Sequence, residues 1–235
     1  MSDKYKVMVA IPTAEFSRRA IFFDYYNALI KPEGTVCTSA HGQSPARGRN
    51  LMIEQALELG CDKILFLDDD VAFKPDLLVN LFKHDVDIVT GLYLMRNYPH
   101  QPIIFKSAQP DGRCLHYYLN PEDTGLVEIV ACGLGACLIN TDVFRRLEKP
   151  WIRLGELESD HWCDDIGFFM RVRQAGFKMH CDLSQLVGHM GSVTIWPTRN
   201  EAGDWFTTYD SEGIATLSTP QQRVTKEQIE EAMSV

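Results

Sequence analysis

Short apolar runs alternate with helical patterns in the first half of the chain. Three runs of strand length, bounded by turn residues, predict buried strands at 6–11, 63–67 and 87–94. Helices are predicted at 16–29, at 46–59 and from Pro75 onward. Strands that alternate with helices predict a parallel sheet with helices on both faces.

The second half has a different pattern. Four short runs with turns between them predict strands near 103–106, 114–119, 126–131 and 136–140. Two helices and a strand follow, at 141–148, 164–175 and 177–181. We therefore expect an α/β fold with a mixed, mainly parallel sheet flanked by helices, and a small antiparallel patch added to it.

Turn-forming residues dominate the stretch from Gly191 to Thr219, which predicts a long loop or lid. Thr225 begins a capping box, so a short terminal helix is expected. Residues 1–190 are thus assigned to the main domain, and residues 191–235 to a lid loop and short helix of the same domain.

The composition is that of a globular protein, with 45% hydrophobic and 23% charged residues among 235. A formal net charge of -9 argues against non-specific nucleic-acid binding, which requires lysine and arginine to neutralise phosphates. Arg145, Arg146, Lys149 and Arg153 form a local basic stretch, either a solvated helix face or a basic groove.

The cysteine pattern bears on location. Seven cysteines without a C-x-x-C pair suit a reducing, cytoplasmic environment better than a disulfide framework. No apolar run approaches the ~20 residues that span a bilayer, so we expect no integral membrane association.

Three consecutive carboxylates, Asp68, Asp69 and Asp70, directly follow the apolar run KILFL. In an extended segment Asp68 and Asp70 would point to one side, at the strand end where ligands bind in open α/β sheets. Carboxylate oxygens favour Mg²⁺ or Mn²⁺. An acidic turn that caps the helix at Pro75 is the alternative without a ligand.

A phosphatase of the haloacid-dehalogenase type also places Asp-x-Asp after a buried strand, with the first aspartate as nucleophile. Asp68 and Asp70 fit that spacing, but Ala72 stands where such a motif prefers threonine. That motif normally follows the first strand of the chain, and here it follows a later one.

The order of three motifs resembles the GT-A glycosyltransferases, in particular the small family-2-like enzymes. The motifs are ARGRNLMIEQALELGCDKILFLDDDVAFKPDLL, VACGLGACLINTDVFRRL and DDIGFFMRVRQAGFKMHCDLSQLVGHMG. The resemblance covers about Lys6 to Gly191 and implies a nucleotide-diphosphate sugar, most commonly a UDP-sugar, as donor.

The resemblance implies a metal site and a donor site. Asp70 and His189 would bind Mn²⁺ or Mg²⁺, and Asp68 would lie near the ribose or a metal-bound water. A shift of the Asp-x-Asp motif by one residue would bring Asp69 into the site instead. The histidine favours Mn²⁺ because imidazole is a softer ligand than carboxylate or water. The other residues implied in donor or acceptor binding are Pro12, Thr13, Arg49, Asn50, Gly133, Gly135 and Asp164.

Asp165 would be the general base on the acceptor hydroxyl, which implies inversion at the anomeric carbon; if it is structural, a retaining route stays open. The acceptor is a glycan, a protein, a metabolite or, in a phage-like enzyme, a hydroxymethylated DNA base. Two alternatives to transfer remain besides the phosphatase: a nucleotidyltransferase, although IPTAEFSRR lacks its Gly-rich loop, and a binding module without turnover.

Overall fold

The computed structural model of the chain describes residues 7–13, 20–109, 113–154, 164–210 and 216–220. For residues 20, 164, 210 and 216–220 it describes the backbone alone. The helices are α1 (Ala20–Ala28), α2 (Pro45–Glu58), α3 (Leu77–Phe82), α4 (Thr141–Arg146) and α5 (Asp164–Gln174).

The strands of the first half are β1 (Val7–Thr13), β2 (Val36–His41), β3 (Lys63–Leu67), β4 (Val71–Phe73), β5 (Ile88–Leu92), β6 (Ile104–Ala108) and β7 (Cys114–His116). Those of the second half are β8 (Leu126–Ile129), β9 (Ala131–Cys132), β10 (Ala136–Asn140), β11 (Met179–Met190), β12 (Thr194–Arg199), β13 (Trp205–Asp210) and β14 (Thr216–Pro220).

The main sheet has eleven strands, nine of them in the order β14-β13-β12-β11-β5-β10-β3-β1-β2. Strands β2, β1 and β3 are parallel to one another, and β5 is parallel to β11. Strand β10 runs antiparallel to both of its neighbours, β3 and β5. β4 and β8 pair with β11 outside this path, and β7-β6-β9 form a small antiparallel sheet. The predicted mixed α/β architecture with an antiparallel patch is confirmed.

The core lies on both faces of the central strands. Every residue of β1, β3 and β5 is buried. Helix α2 begins at Pro45 after an N-cap at Ser44, whose hydroxyl accepts a hydrogen bond from the amide of Arg47. It buries Met52, Ile53 and Ala56 against the sheet. The helix therefore presents its first turns, with Arg49, at the edge where β1 and β3 end.

The structure departs from the sequence predictions in three ways. The stretch 191–219 contains β12, β13 and part of β14, which extend the main sheet, so it is not a long loop. The strand predicted at 177–181 is β11, which continues to Met190. Two strands, β2 and β4, were not predicted. The helix predicted from Thr225 lies outside the described residues.

The direction of β10 determines what meets at one edge of the sheet. Ala136, its first residue, pairs with Leu67, the last residue of β3. The segment Gly133–Gly135 therefore lies beside Asp68, where β3 ends. In the described ranges, no helix is both long and apolar enough to cross a membrane.

Candidate functional site

The three carboxylates after β3 lie in a turn, not in an extended segment. The amide of Val71 donates to the carbonyl of Asp68 at 3.4 Å, and the chain then enters β4. The extended segment that would place Asp68 and Asp70 on one side is therefore not formed. Each of the three carboxylates contacts a different side chain.

Arg49 joins Asp68 to Asp165. Its Nη2 donates to Asp68 Oδ1 at 2.7 Å, and its Nη1 donates to Asp165 Oδ1 at 3.1 Å. Arg49 is 5% exposed. Burial disfavours the guanidinium charge, but the two carboxylates outweigh burial and raise the pKa of Arg49 above its ordinary value. A permanent positive charge thus lies between two of the predicted site residues.

Main-chain amides of the segment Gly133–Gly135 complete this cluster. The amide of Leu134 donates to Asp165 Oδ2 at 3.1 Å, and the amide of Gly135 donates to the Tyr93 hydroxyl at 3.0 Å. A Cβ at Gly133 would overlap the Tyr93 hydroxyl, so this position requires glycine. Chiefly through burial, the pKa of Tyr93 is raised well above its usual value of 10.0.

Asp69 faces the end of β1. Its Oδ2 accepts a hydrogen bond from the Thr13 hydroxyl at 2.9 Å. Thr13 and Pro12 are both buried in β1, where they pair with His41 and Ala40 of β2. Thr13 and Asp69 thus tie the two parallel strand ends together.

Asp70 faces His189 and Arg96. Its Oδ2 lies 3.7 Å from His189 Nε2 and 3.0 Å from Arg96 Nη1. His189 pairs with Val71 across β11 and β4, which brings the imidazole beside Asp70. His189 Nδ1 lies 2.8 Å from the carbonyl oxygen of Leu94. Because that oxygen can only accept, Nδ1 carries the proton of the neutral imidazole, and the lone pair of Nε2 faces Asp70.

A cavity of about 590 Å³ adjoins this pair. Its polar lining residues are Arg96, Asn97, His100, His189, Ser192 and Tyr209. Apolar side chains, including Ile103 and Ile195, lie among them. The lining is therefore mixed, and polar groups that converge on a concave site can orient a small ligand.

Of the metal site that the resemblance implies, Asp70 and His189 lie together at this edge. Within the described ranges, no group of three or more His, Cys, Asp or Glu side chains could hold a metal ion. Asp70 Oδ2 and His189 Nε2 together offer one carboxylate oxygen and one imidazole nitrogen. Mg²⁺ and related ions in phosphate-handling sites commonly take one or two protein ligands and complete their shell with phosphate and water. The donor set fits such an open site.

Two predicted site residues have a different status. Asn50 donates from Nδ2 to the carbonyls of Ala46 and Ile152, and its Oδ1 accepts from the amides of Trp151 and Ile152. Its amide group is fully used in fastening the segment at 151–152 to α2. Asp164 begins α5, and its side chain lies outside the described atoms.

Arg96 and Tyr93 were missed by the sequence analysis. Both follow the buried run of β5, at its carboxyl end and just beyond it, and ligand sites in open α/β sheets form at such ends. That position was the available signal.

The basic stretch is largely paired. Arg145 contacts Asp142 at 2.8 Å, Lys149 contacts Glu54 at 2.9 Å, and Arg146 donates to the carbonyl of Ala175. These contacts favour a solvated helix face over a groove for nucleic acid.

Comparison with known proteins gives matches in structure only. Searches for a family model and for a curated relative of this sequence found none. The fold is similar to that of A197 from STIV, with a TM-score of 0.58 and 16% identity over 94% of this chain and 97% of that one. It is also similar to GalNAc-T7, crystallised with UDP, GalNAc and Mn²⁺, with a TM-score of 0.52 and 13% identity over 81% of this chain and 45% of that one.

At these identities the likeness shows the fold alone. The chain has the GT-A fold that the resemblance of its sequence motifs implies.

Proposed function

We propose that this protein is a metal-dependent glycosyltransferase that moves a sugar from a nucleotide-diphosphate sugar to an acceptor hydroxyl. The observation that carries the proposal is the pair Asp70 and His189, 3.7 Å apart at the edge of the 590 Å³ cavity. A carboxylate and an imidazole lone pair at a sheet edge suit a cation that binds a diphosphate. UDP is the nucleotide that the family resemblance favours.

Asp70 and His189 would hold the metal, Mn²⁺ or Mg²⁺, and the diphosphate and water would complete its shell. When bound, the metal supplies positive charge against which the leaving nucleotide is stabilised. The hydrogen bond from His189 Nδ1 to Leu94 fixes the ring and its tautomer, so that Nε2 remains available.

Asp165 is the proposed general base. Hydrogen bonds from Arg49 and the amide of Leu134 stabilise its carboxylate form, which is the form that accepts a proton. Asp165 would take the proton of the acceptor hydroxyl while the oxygen attacks the anomeric carbon opposite the leaving group, with inversion. The acceptor itself is a hydroxyl compound from the classes named above.

The test is a thermal-shift panel of UDP-, GDP-, ADP-, CDP- and dTDP-sugars with Mn²⁺ or with a chelator. Ligands that bind only the folded state raise the melting temperature with occupancy. We expect a metal-dependent shift with one donor that is lost in Asp70→Ala. Asp142→Ala, which removes an exposed carboxylate paired with Arg145, is the matched control and should keep the shift. No shift with any donor would contradict the proposal, and phosphomonoesters would then be tested.

A further inference from the structure

Arg96 links the Asp70 carboxylate to the cavity. Its Nη1 lies 3.0 Å from Asp70 Oδ2, the same oxygen that faces His189. Arg96 is also one of the residues that line the cavity. A guanidinium and a divalent cation at this oxygen compete, because both are positive and repel each other at such short range.

The Arg96 side chain is loosely held. It is 46% exposed, and among the described residues Asp70 is its one ion-pair partner. A guanidinium has five N–H donors in a planar fork, and the contact with Asp70 uses one nitrogen. An ion pair whose arginine is solvated in this way contributes about 1 kcal/mol, although the Asp70 carboxylate is 18% exposed, so a divalent cation can compete with the arginine.

Apart from Arg96, the lining of the cavity carries little basic side-chain charge. Arg96 is the one lysine or arginine among the residues that line it in the described part of the chain. The guanidinium fork matches the oxygens of a phosphate group and can bind two of them at once. If a diphosphate enters this cavity, Arg96 is the side chain suited to neutralise it.

We propose that Arg96 and the divalent cation compete for Asp70, and that a cation at Asp70 frees Arg96 to bind the diphosphate in the cavity. Arg96 is thus a donor-binding residue that also makes the two binding events depend on each other. This inference rests on the proposed function, because it takes the ligand of the cavity to be a nucleotide diphosphate.

The consequence is that removing Arg96 has opposite effects on two ligands. Arg96→Ala should bind Mn²⁺ alone more tightly, by roughly twofold to fivefold, because the competitor for Asp70 is gone. The same variant should bind a nucleoside diphosphate more weakly, by roughly tenfold or more, because a charge-assisted hydrogen bond is lost. A merely structural role for Arg96 would move both affinities in the same direction or neither.

Binding of Mn²⁺ alone is measured by electron paramagnetic resonance on wild type, Arg96→Ala and Arg96→Lys. Binding of UDP, GDP, ADP, CDP and dTDP at saturating Mn²⁺ is measured by calorimetry, and the tightest binder is compared between variants. Arg96→Lys keeps the charge without the fork and should recover part of the diphosphate affinity. Arg145→Ala removes an arginine of equal exposure, 46%, paired with Asp142, and should change neither affinity.

Tighter Mn²⁺ binding together with weaker diphosphate binding in Arg96→Ala supports the proposal. Unchanged or weaker Mn²⁺ binding, or unchanged diphosphate binding, overturns it even if wild type binds both ligands. If wild type binds neither Mn²⁺ nor any of the five diphosphates, the proposed function fails with it. If wild type binds both ligands but Arg96→Ala does not show the opposite changes, only the proposal for Arg96 fails, and the proposed glycosyltransferase function is unaffected.

Discussion

Arg49 donates a hydrogen bond to Asp165 across 116 positions of the chain, from Nη1 to Oδ1 at 3.1 Å. The contact joins the first turns of α2 to the start of α5 and lies beside the end of β3. Since Arg49 also bonds Asp68, one buried cation orients two carboxylates that have different proposed tasks. The orientation of Asp165 is therefore set by structure that is independent of any acceptor.

Asp165→Asn should abolish most transfer and leave donor binding intact. Asparagine keeps the shape and can accept from the amide of Leu134, but it cannot take a proton from the acceptor. We expect the rate of transfer to fall by about 10²- to 10⁴-fold. Transfer is measured by nucleotide release with the identified acceptor, and donor binding by thermal shift. A variant that retains transfer within a few-fold of wild type would assign Asp165 a structural role and reopen the retaining route.

Asn50→Ala should lower stability without lowering donor affinity. The substitution removes the acceptor of two amides, at Trp151 and Ile152, and leaves them without this partner. We expect the free energy of unfolding to fall by about 1–3 kcal/mol. Urea denaturation measures it, and the donor thermal shift is measured on the same sample. Unchanged stability with lost donor binding would restore the donor role that the family resemblance implies for Asn50.

Gly133→Ala should destabilise the protein through Tyr93. The new methyl group would overlap the Tyr93 hydroxyl and lie 2.9 Å from Ile103 Cγ2, so both must move. We expect a loss of about 1–3 kcal/mol in the free energy of unfolding. Tyr93→Phe alone costs the hydrogen bond from the Gly135 amide. The double variant should lose less unfolding free energy than the two single variants added together, because phenylalanine has no hydroxyl to overlap the new methyl group. Strictly additive losses would contradict this packing.

Asp182→Asn should destabilise the protein at neutral pH and much less in acid. Burial raises the pKa of Asp182, but hydrogen bonds from Ser184 and His84 outweigh it and hold the pKa below its ordinary value of 3.8. A lowered pKa in the folded state means that the carboxylate stabilises the fold above pH 3.8. That stability is lost as the pH falls through the lowered pKa.

The measurement for Asp182 is urea denaturation of wild type and Asp182→Asn between pH 7 and pH 2.5. We expect a difference of about 1–3 kcal/mol at pH 7 that narrows below pH 3.8. Asp142→Asn is the control, since Asp142 is exposed and should show a small difference throughout. If the difference in unfolding free energy between wild type and Asp182→Asn were constant from pH 7 to pH 2.5, the lowered pKa of Asp182 would be refuted.

The sequence predicted the elements whose signals are local. Strand 63–67 has the predicted bounds because four consecutive apolar residues after Lys63, with turns on either side, are typical of a buried strand. The bounds of helix α2 agree with the prediction to within one residue at each end. The agreement is close because Ser44 and Pro45 mark the start of the helix and Gly60 its end. Asp68, Asp69 and Asp70 were singled out because they directly follow strand 63–67, whereas Asp165 and His189 were singled out by the family resemblance; their roles stay predictions.

Strands with weak local signals were missed. Strand β12 contains Pro197, which reads as a turn residue in sequence. It is tolerated because β12 pairs with β11 only at Thr194 and Ile195, so Pro197 pairs with β13 alone. Strand β2 shows no clear alternation of apolar and polar residues, because all of its residues are half-buried or exposed. Neither condition is visible before the neighbouring strands are known.

The partners of the three carboxylates were equally out of reach. Thr13, Arg49 and Arg96 are 56, 19 and 26 positions from the aspartates they contact, and which of them meets which depends on the turn at 68–71. Because the segment is a turn and not extended, the alternation of sides expected for a strand does not apply to it. Sequence predicts that charges gather at this edge, and packing decides their pairing.

The reversed direction of β10 constrains which connections of the chain can change in length. Because β10 starts where β3 ends, the three residues before it must reach from β9 to Asp165 and Tyr93 without slack. An insertion there would displace both amide donors. The connections at the opposite edge, such as the one from α3 to β5, carry none of the site residues. Sequence drift through insertion and deletion should therefore accumulate at that edge while the length of 133–135 stays fixed.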